Sequence, residues 1–175
     1  MKVVVISGSP RKTANTQIMM KFVFDYTKSK NADTKFINLS DGGIDYFRGP
    51  GENYSHTTTQ AAQDIMDADA WLVGTPIYNS FFSSALKNLF EYVSYKNTAG
   101  KTVGLAIMAS GQINFTYVQT ILTQLMSYFR VITNPKAVFM TVDQIKDNTV
   151  TDENAKARLK ELVDETLLLA SRPKQ

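Results

Sequence analysis

A polar loop follows the first apolar segment of the chain, and its residue types suit an anion. The loop "SGSPRKTANT" spans residues 7–16 and directly follows the apolar residues 3–6. Hydroxyl groups, two adjacent basic side chains and an amide can all bind a negatively charged oxygen. Gly8 would let the backbone come close to that anion. A helical pattern of apolar residues follows, and the free N–H groups at a helix N-terminus favour an anion. The loop predicts a phosphate site whose candidate residues are Ser9, Arg11, Lys12, Asn15 and Thr16.

Two common phosphate motifs are missing from this loop. The P-loop pattern G-x-x-x-x-G-K-[ST] and the dinucleotide pattern G-x-G-x-x-G are both absent. A hydroxyl-rich loop suits the three oxygens of a terminal monophosphate, whereas a bridging pyrophosphate favours a glycine-lined backbone. The alternative interpretation is a polar turn that only caps the following helix.

A second segment, "TPIYNSFFSS" at residues 75–84, combines apolar, aromatic and amide side chains after another apolar run. Apolar groups at the end of a strand indicate a flat ligand that packs on them. Taken alone, Tyr78 and the two phenylalanines Phe81 and Phe82 are more typical of a core or a subunit interface. Together with the phosphate loop, they predict a ligand with a monophosphate at one end and a flat ring system at the other, which is the shape of FMN.

A third segment, Ser110-Gly111-Gln112, follows the fourth apolar run. Its backbone N–H groups and its amide could stabilise the negative charge of a reduced flavin at the pyrimidine edge. The alternative is an ordinary turn between a strand and a helix.

Apolar runs alternate with helical patterns along the whole chain. The predicted strands cover residues 2–6, 34–39, 70–74, 101–109 and 137–140, and the predicted helices begin near residues 15, 57, 84, 115 and 152. Near-continuous apolar strands are typical of a parallel sheet covered by helices on both faces. The pattern predicts an α/β fold with a doubly wound, five-stranded parallel sheet in a single domain over residues 1–175, of which 171–175 form a frayed tail. In such a sheet, ligands bind at the carboxyl ends of the strands, so these segments and the loop after the second strand should converge.

Composition excludes several other kinds of chemistry. The chain of 175 residues contains no cysteine, which excludes disulfides, thiol catalysis and iron–sulfur ligation, and its single histidine, His56, excludes a histidine-rich metal site. We expect His56 to be a solvated loop or helix-cap residue, and Asp41 and Asp45 to be solvated loop carboxylates and not an acid/base pair. The net charge of +3 is mild and its basic residues are dispersed, so nothing favours nucleic acid as a partner. Neither a membrane-spanning stretch nor an export signal is visible, and we expect a cytoplasmic protein.

Two motifs together resemble the NADPH-dependent FMN reductase family of flavodoxin-like proteins. The first is "GSPRKTANT", which matches the family pattern G-S-x-R-x-x-S/A-N-T after the first strand. The second is "ADAWLVGTPIYNSFFSSALKNLFEYV", which follows the family pattern T/S-P-x-Y-x-x-S-x-x-x-x-L-K-N after the third strand at Pro76, Tyr78, Leu86, Lys87 and Asn88. The resemblance covers roughly residues 1–145. The chain departs from many members in having Ser110-Gly111-Gln112 where they have a Gly-Gly pair.

The resemblance implies a flavodoxin-like sheet with strand order 2-1-3-4-5 and a homodimer or homotetramer. It implies that FMN phosphate is held by residues of the first loop. It also implies ring, ribityl and pyrimidine-edge contacts from the two later segments, for which the candidate residues are Pro76, Ile77, Tyr78, Asn79, Ser80, Ser110, Gly111 and Gln112.

The implied activity is that of an FMN-dependent oxidoreductase. Such an enzyme takes a hydride from NAD(P)H and passes the electrons to a second small molecule, for example a free flavin or a quinone, by a ping-pong mechanism. No side chain is predicted to be catalytic, because the chemistry belongs to the cofactor. The alternative is a flavodoxin-type electron carrier without its own NAD(P)H activity, although such carriers are usually strongly acidic.

Overall fold

The computed structural model, which describes residues 1–111 and 114–172, is a sheet with helices on both faces. The strands are β1 Lys2–Ser7, β2 Asp33–Asn38, β3 Ala70–Tyr78, β4 Phe81–Phe82, β5 Thr102–Ala109, β6 Ile132–Thr133, β7 Val138–Thr141, β8 Ile145–Lys146 and β9 Thr149–Val150. The helices are α1 Asn15–Ser29, α2 His56–Asp67, α3 Ser84–Phe90, α4 Phe115–Tyr128 and α5 Glu153–Ala170.

The central strands lie in the order β2-β1-β3-β5 and all are parallel. The far edge consists of two short pieces, β6 and β7, which both pair with β5 in the parallel sense. Counted as one edge strand, they give the predicted order 2-1-3-4-5. The predicted fold class is therefore confirmed.

Alternate residues of each strand enter two separate cores. Val4 and Ile6 of β1 belong to the core that α2, α3 and α4 cover, whereas Val3 and Val5 belong to the core beneath α1 and α5. Trp71 lies fully buried in the first core, where its indole N–H donates to the carbonyl oxygen of Ile65 at 2.8 Å. Because both faces are covered, the inner strands β1, β3 and β5 are largely apolar, as the sequence indicated, whereas the edge strand β2 also carries the exposed residues Asp33 and Lys35.

Strand β3 is longer than predicted, since it continues through Pro76 to Tyr78 instead of ending at Gly74. Its pairing with β1 ends at Gly74, whereas its pairing with β5 extends to Pro76. Backbone groups two residues apart on a strand point to the same side, and the Gly74 carbonyl points toward β1, where it accepts from the N–H of Gly8 at 2.8 Å. An N–H group at position 76 would point to the same side, where β1 has already ended and offers no partner. Proline, which lacks this group, therefore costs the sheet no hydrogen bond.

Two hairpins were not predicted from the sequence. Strand β4 pairs back on the end of β3, and β8 pairs with β9, both in the antiparallel sense. Each loop has two central residues with positive φ, Asn79 and Ser80 in one and Asp147 and Asn148 in the other. These are the conformations of tight hairpin turns, in which asparagine is well tolerated.

Gly8 is required by packing between β1 and β3. A Cβ atom at this position would lie 2.6 Å from the carbonyl oxygen of Gly74 and 3.3 Å from the side chain of Leu86. The sequence suggested instead that Gly8 lets the backbone approach a phosphate. The structure shows that the missing side chain lets the first loop lie directly against β3.

We predict that Gly8→Ala destabilises the fold by about 1–3 kcal/mol, because the added methyl group must separate β1 from β3 or displace α3. Chemical denaturation measures this difference. The matched control is Thr13→Ala in the same loop, whose exposed side chain should change the unfolding free energy by less than about 0.5 kcal/mol. Equal stability of Gly8→Ala and the control would contradict the packing role.

Candidate functional site

A cleft of about 330 Å³ lies at the carboxyl ends of β1, β3 and β5. Three of the predicted segments meet there: the first loop, the end of β3 and the residues after β5. The residues that line the cleft are Arg11, Thr13, Ala14, Asn15, Thr16, Pro76, Ile77, Tyr78, Met108, Ala109, Ser110 and Val142. The cleft therefore has a polar, basic end on the first loop and an apolar wall on β3 and β5.

The N-terminus of α1 forms the polar end of the cleft. Ala14 is its N-cap residue and no side chain caps the helix, whereas Ser55, Ser83 and Asp152 cap α2, α3 and α5 through their side chains. The first turn of α1 also contains no acidic residue. The uncapped N–H groups and the helix dipole can therefore interact with an anion in the cleft.

Ser9 ties the first loop to the end of β3. Its side chain is completely buried, and its hydroxyl group lies 2.9 Å from the hydroxyl group of Tyr78. The backbone N–H of Arg11 donates to the same Ser9 oxygen at 3.3 Å. Ser9 does not line the cleft; it fixes the two walls of the cleft relative to each other.

The β3–β4 turn lies beside the cleft and is bound to the start of α4. The side-chain amide of Asn114 donates to the Ser80 hydroxyl at 2.8 Å. Asn79 faces a neighbouring cleft instead, together with Tyr78. The structure therefore places Asn79 and Ser80 next to the predicted site but not on its wall.

The remaining predicted residues are distributed around the rim. Ser110 lines the cleft and Gly111 follows it directly, while Gln112 lies outside the described residues. Lys12 is exposed and lines a separate surface groove on the other side of the first loop. Sequence reasoning missed Val142, which follows β7 and could have been found by applying the carboxyl-end rule to the fifth strand as well.

Comparison with known proteins identifies the family of this chain. Residues 1–145 match the family model described as NADPH-dependent FMN reductase. The chain belongs to this family. The resemblance predicted from the two motifs is thereby confirmed. Arg11, Asn15 and Thr16 of the first motif and Pro76 and Tyr78 of the second line the cleft, whereas the L-K-N end of the second motif lies on α3.

Individual relatives agree with this assignment. An NAD(P)H-dependent FAD/FMN reductase from Geobacillus thermodenitrificans is 25% identical over 171 residues, which cover 95% of this chain and 92% of the relative. The apo crystal structure of an NADH:FMN oxidoreductase has a TM-score of 0.82 at 20% identity and covers 98% of this chain and 91% of its own. An FMN-dependent NADH-azoreductase from Bacillus anthracis, solved with FMN, has a TM-score of 0.69 at 15% identity, with coverages of 94% and 99%. These two structures support the shared fold.

The loop after β2, residues 42–55, does not line the FMN reductase cleft, although we expected it to converge there. It packs on α3 instead. The amide of Asn88 donates to the carbonyl oxygen of Asp45 at 2.7 Å and accepts from the N–H of Phe47 at 2.9 Å. The Tyr92 hydroxyl donates to the same Asp45 carbonyl at 2.7 Å. The asparagine of the family motif L-K-N thus holds this loop.

Asp45 fastens the other end of this loop to α2. Its carboxylate accepts from the backbone N–H of Ser55 at 2.6 Å and from the Thr58 hydroxyl at 3.0 Å. These hydrogen bonds, the Ser55 N–H first, lower the pKa of Asp45 because they favour the charged form. The sequence suggested a solvated loop carboxylate, whereas the structure shows an anchor. His56 begins α2 with an exposed side chain, as expected.

We predict that Asp45→Asn makes the stability of the protein less dependent on pH. A lowered pKa in the folded state stabilises the fold above the unfolded pKa of about 3.9, and this contribution disappears as the pH falls. The variant should therefore be less stable than wild type near pH 7, and the difference should shrink toward pH 3. The unfolding free energies of wild type and variant, measured from pH 3 to pH 7, test this prediction. If the two pH profiles run parallel, the Asp45 carboxylate does not stabilise the fold through these hydrogen bonds.

Proposed function

We propose that the chain is an FMN-dependent oxidoreductase that takes a hydride from NAD(P)H and passes electrons to a small-molecule acceptor by a ping-pong mechanism. One observation carries this proposal: a single cleft has an uncapped helix N-terminus and Arg11 at one end and an apolar wall at the other. FMN has the matching arrangement of a doubly charged monophosphate and a flat ring system.

Arg11, Asn15 and Thr16 would hold the phosphate together with the first N–H groups of α1. Arg11 would supply a positive charge, and Thr16 a hydroxyl group from an almost fully buried position. Ser9 contributes by holding the loop through Tyr78. Lys12 lies outside the cleft and adds positive charge at longer range.

Pro76, Ile77 and Tyr78 would hold the ring system of bound FMN, and Ser110 and Gly111 would offer hydrogen-bonding groups to its pyrimidine edge, as the family resemblance implies. Bound FMN supplies a carrier of two electrons that can accept a hydride from a nicotinamide and later reduce an acceptor. The side chains orient the ring and exclude water from one of its faces. The β3–β4 turn, with Asn79 and Ser80, lies beside this cleft and is held there by the hydrogen bond from Asn114 to Ser80.

We further propose a cytoplasmic homodimer or homotetramer. Helix α4, "FTYVQTILTQLMSY", contains no charged residue and yet exposes Tyr117 and Tyr128 by 52% and 64%. An uncharged exposed helix can pack against a second copy without repulsion or loss of ion hydration. No helix in the described ranges is long and apolar enough to cross a membrane. A single-protomer mass in sedimentation equilibrium would contradict the oligomer.

We predict that Arg11→Ala and Thr16→Val each weaken FMN binding, Arg11→Ala by about 10- to 100-fold, because a charge-assisted hydrogen bond to phosphate is worth about 1.5–3 kcal/mol. Titration of the FMN-free protein with FMN, followed by flavin fluorescence, measures the dissociation constants. The matched control is Arg172→Ala, which removes an exposed arginine after the end of α5.

The control should bind FMN like the wild type. Wild-type affinity in both loop variants would overturn the phosphate assignment. The substitution Arg11→Ala should change the dissociation constant of riboflavin, which lacks the phosphate, far less than it changes that of FMN.

A further inference from the structure

A separate cleft, of about 370 Å³, lies where the end of β7 meets α4 and α5. The residues that line it are Phe115, Thr116, Phe139, Thr141, Gln144 and Arg158. Among the described residues, it shares none with the cleft proposed for FMN, although Thr141 is followed directly by Val142 of that cleft. We call it the Arg158 cleft.

The guanidinium group of Arg158 has donors without acceptors. Its Nη1 donates to the carbonyl oxygen of Phe139 at 3.1 Å and so ties α5 to β7. Its Nε and Nη2 atoms have no hydrogen-bond partner among the residues that the structure describes, and Nε is fully buried. Partial burial of a charged group without full pairing is unfavourable. Arg158 therefore retains donors for a negatively charged group.

The acidic residues near Arg158 leave its charge uncompensated. Glu161, one turn further along α5, forms an ion pair with Lys136 at 2.7 Å. Asp143, which precedes Gln144, has an exposed side chain. Within the described ranges, no carboxylate forms an ion pair with Arg158. The cleft therefore carries a positive charge, because its other lining residues are uncharged.

Phe115 and Phe139 supply an apolar surface beside this charge. Their ring centroids are 4.9 Å apart at an interplanar angle of 32°, and both side chains are only partly buried. Since the carbonyl of Phe139 accepts from Arg158, the rings and the guanidinium group belong to one connected group. Rings that remain partly open to a cleft gain by contact with a further ring.

Thr141 and Gln144 hold the end of β7 in place on the wall of the cleft. The Oε1 atom of Gln144 accepts from the N–H of Thr141 at 3.0 Å, and the Thr141 side chain accepts from the N–H of Gln144. Neither side chain is charged, so neither competes with an anion for the guanidinium group of Arg158.

We propose that the Arg158 cleft binds a small aromatic carboxylate. The carboxylate accepts from the guanidinium group, whose planar N–H donors match its two oxygen atoms, and the ring packs on Phe115 and Phe139. A ring without a carboxylate would leave the arginine unpaired, whereas an inorganic anion would leave the two phenylalanine rings open. The inference does not depend on the proposed function, because this ligand does not enter the FMN cleft.

The test uses 2-naphthoate as the probe in isothermal titration calorimetry, with and without added FMN. Arg158→Met should raise the dissociation constant of 2-naphthoate by about 10- to 100-fold, the range expected for a charge-assisted hydrogen bond. The matched control Lys160→Met removes the same charge from an exposed position on α5 and should leave the constant unchanged. Phe115→Leu should raise it by about twofold to tenfold, because one ring contact is lost.

Two comparisons on the wild type do not depend on how well a variant folds. The amide 2-naphthamide has the same rings without the charge, and inorganic phosphate has a charge without a ring. Each should bind at least about tenfold more weakly than 2-naphthoate. Arg158→Lys keeps the charge but not the planar pair of donors, so it should weaken 2-naphthoate binding less than Arg158→Met does.

Several results would overturn the inference. They are wild-type affinity for 2-naphthoate in Arg158→Met, an equal loss in Lys160→Met, phosphate binding as tight as that of 2-naphthoate, and no 2-naphthoate binding to the wild type. Displacement of 2-naphthoate by FMN would show that the ligand occupies the FMN cleft and would also overturn it. If the protein binds no FMN but binds 2-naphthoate through Arg158, the proposed function fails and the inference stands.

Discussion

The site depends on the close contact between the carboxyl ends of β1 and β3. The Gly8 N–H donates to the Gly74 carbonyl at 2.8 Å, and no side chain separates the two backbones. The Ser83 hydroxyl donates to the Gly8 carbonyl and also accepts from the N–H of Leu86, which caps α3. A few hydrogen bonds therefore join the first loop to the end of β3 and to the start of α3. A phosphate held by the loop and a ring packed on β3 can be parts of one ligand only because of this contact.

The cleft proposed for FMN and the neighbouring cleft beside Tyr78 share this framework. Tyr78 receives its position from the hydrogen bond to Ser9 on one side and from the hairpin with Phe81 on the other. It therefore lines both the cleft proposed for FMN and the neighbouring cleft. Asn88 on α3 holds the loop 42–55 beside the neighbouring cleft through two hydrogen bonds. The N-terminus of α3 is itself hydrogen-bonded to the first loop.

Much of this could be predicted from the sequence, because strand and helix periods are local properties. The strand order was implied by the family resemblance, whereas the convergence of the first loop with β3 and β5 follows from a parallel sheet; both are confirmed. The extension of β3 through Pro76 could not be predicted, because it depends on where β1 stops. The roles of Gly8 and Asp45 were misread for the same reason: Gly74, Ser55 and Thr58 become their neighbours only after folding. Ser9 was predicted only as a phosphate contact. Its hydrogen bond to a tyrosine 69 residues away could not be predicted, because the two residues become neighbours only in the fold.

The most direct test of the account is the absorption spectrum of the FMN-loaded protein under nitrogen, before and after addition of NADH or NADPH. The account predicts a yellow protein whose flavin absorption bleaches when one of the two reduced nicotinamides is added. The absorption should return when menadione, an uncharged naphthoquinone that accepts electrons, is added. A protein that retains flavin but is bleached by neither nicotinamide would be an electron carrier. A protein that retains no flavin at all would contradict the assignment of the cleft.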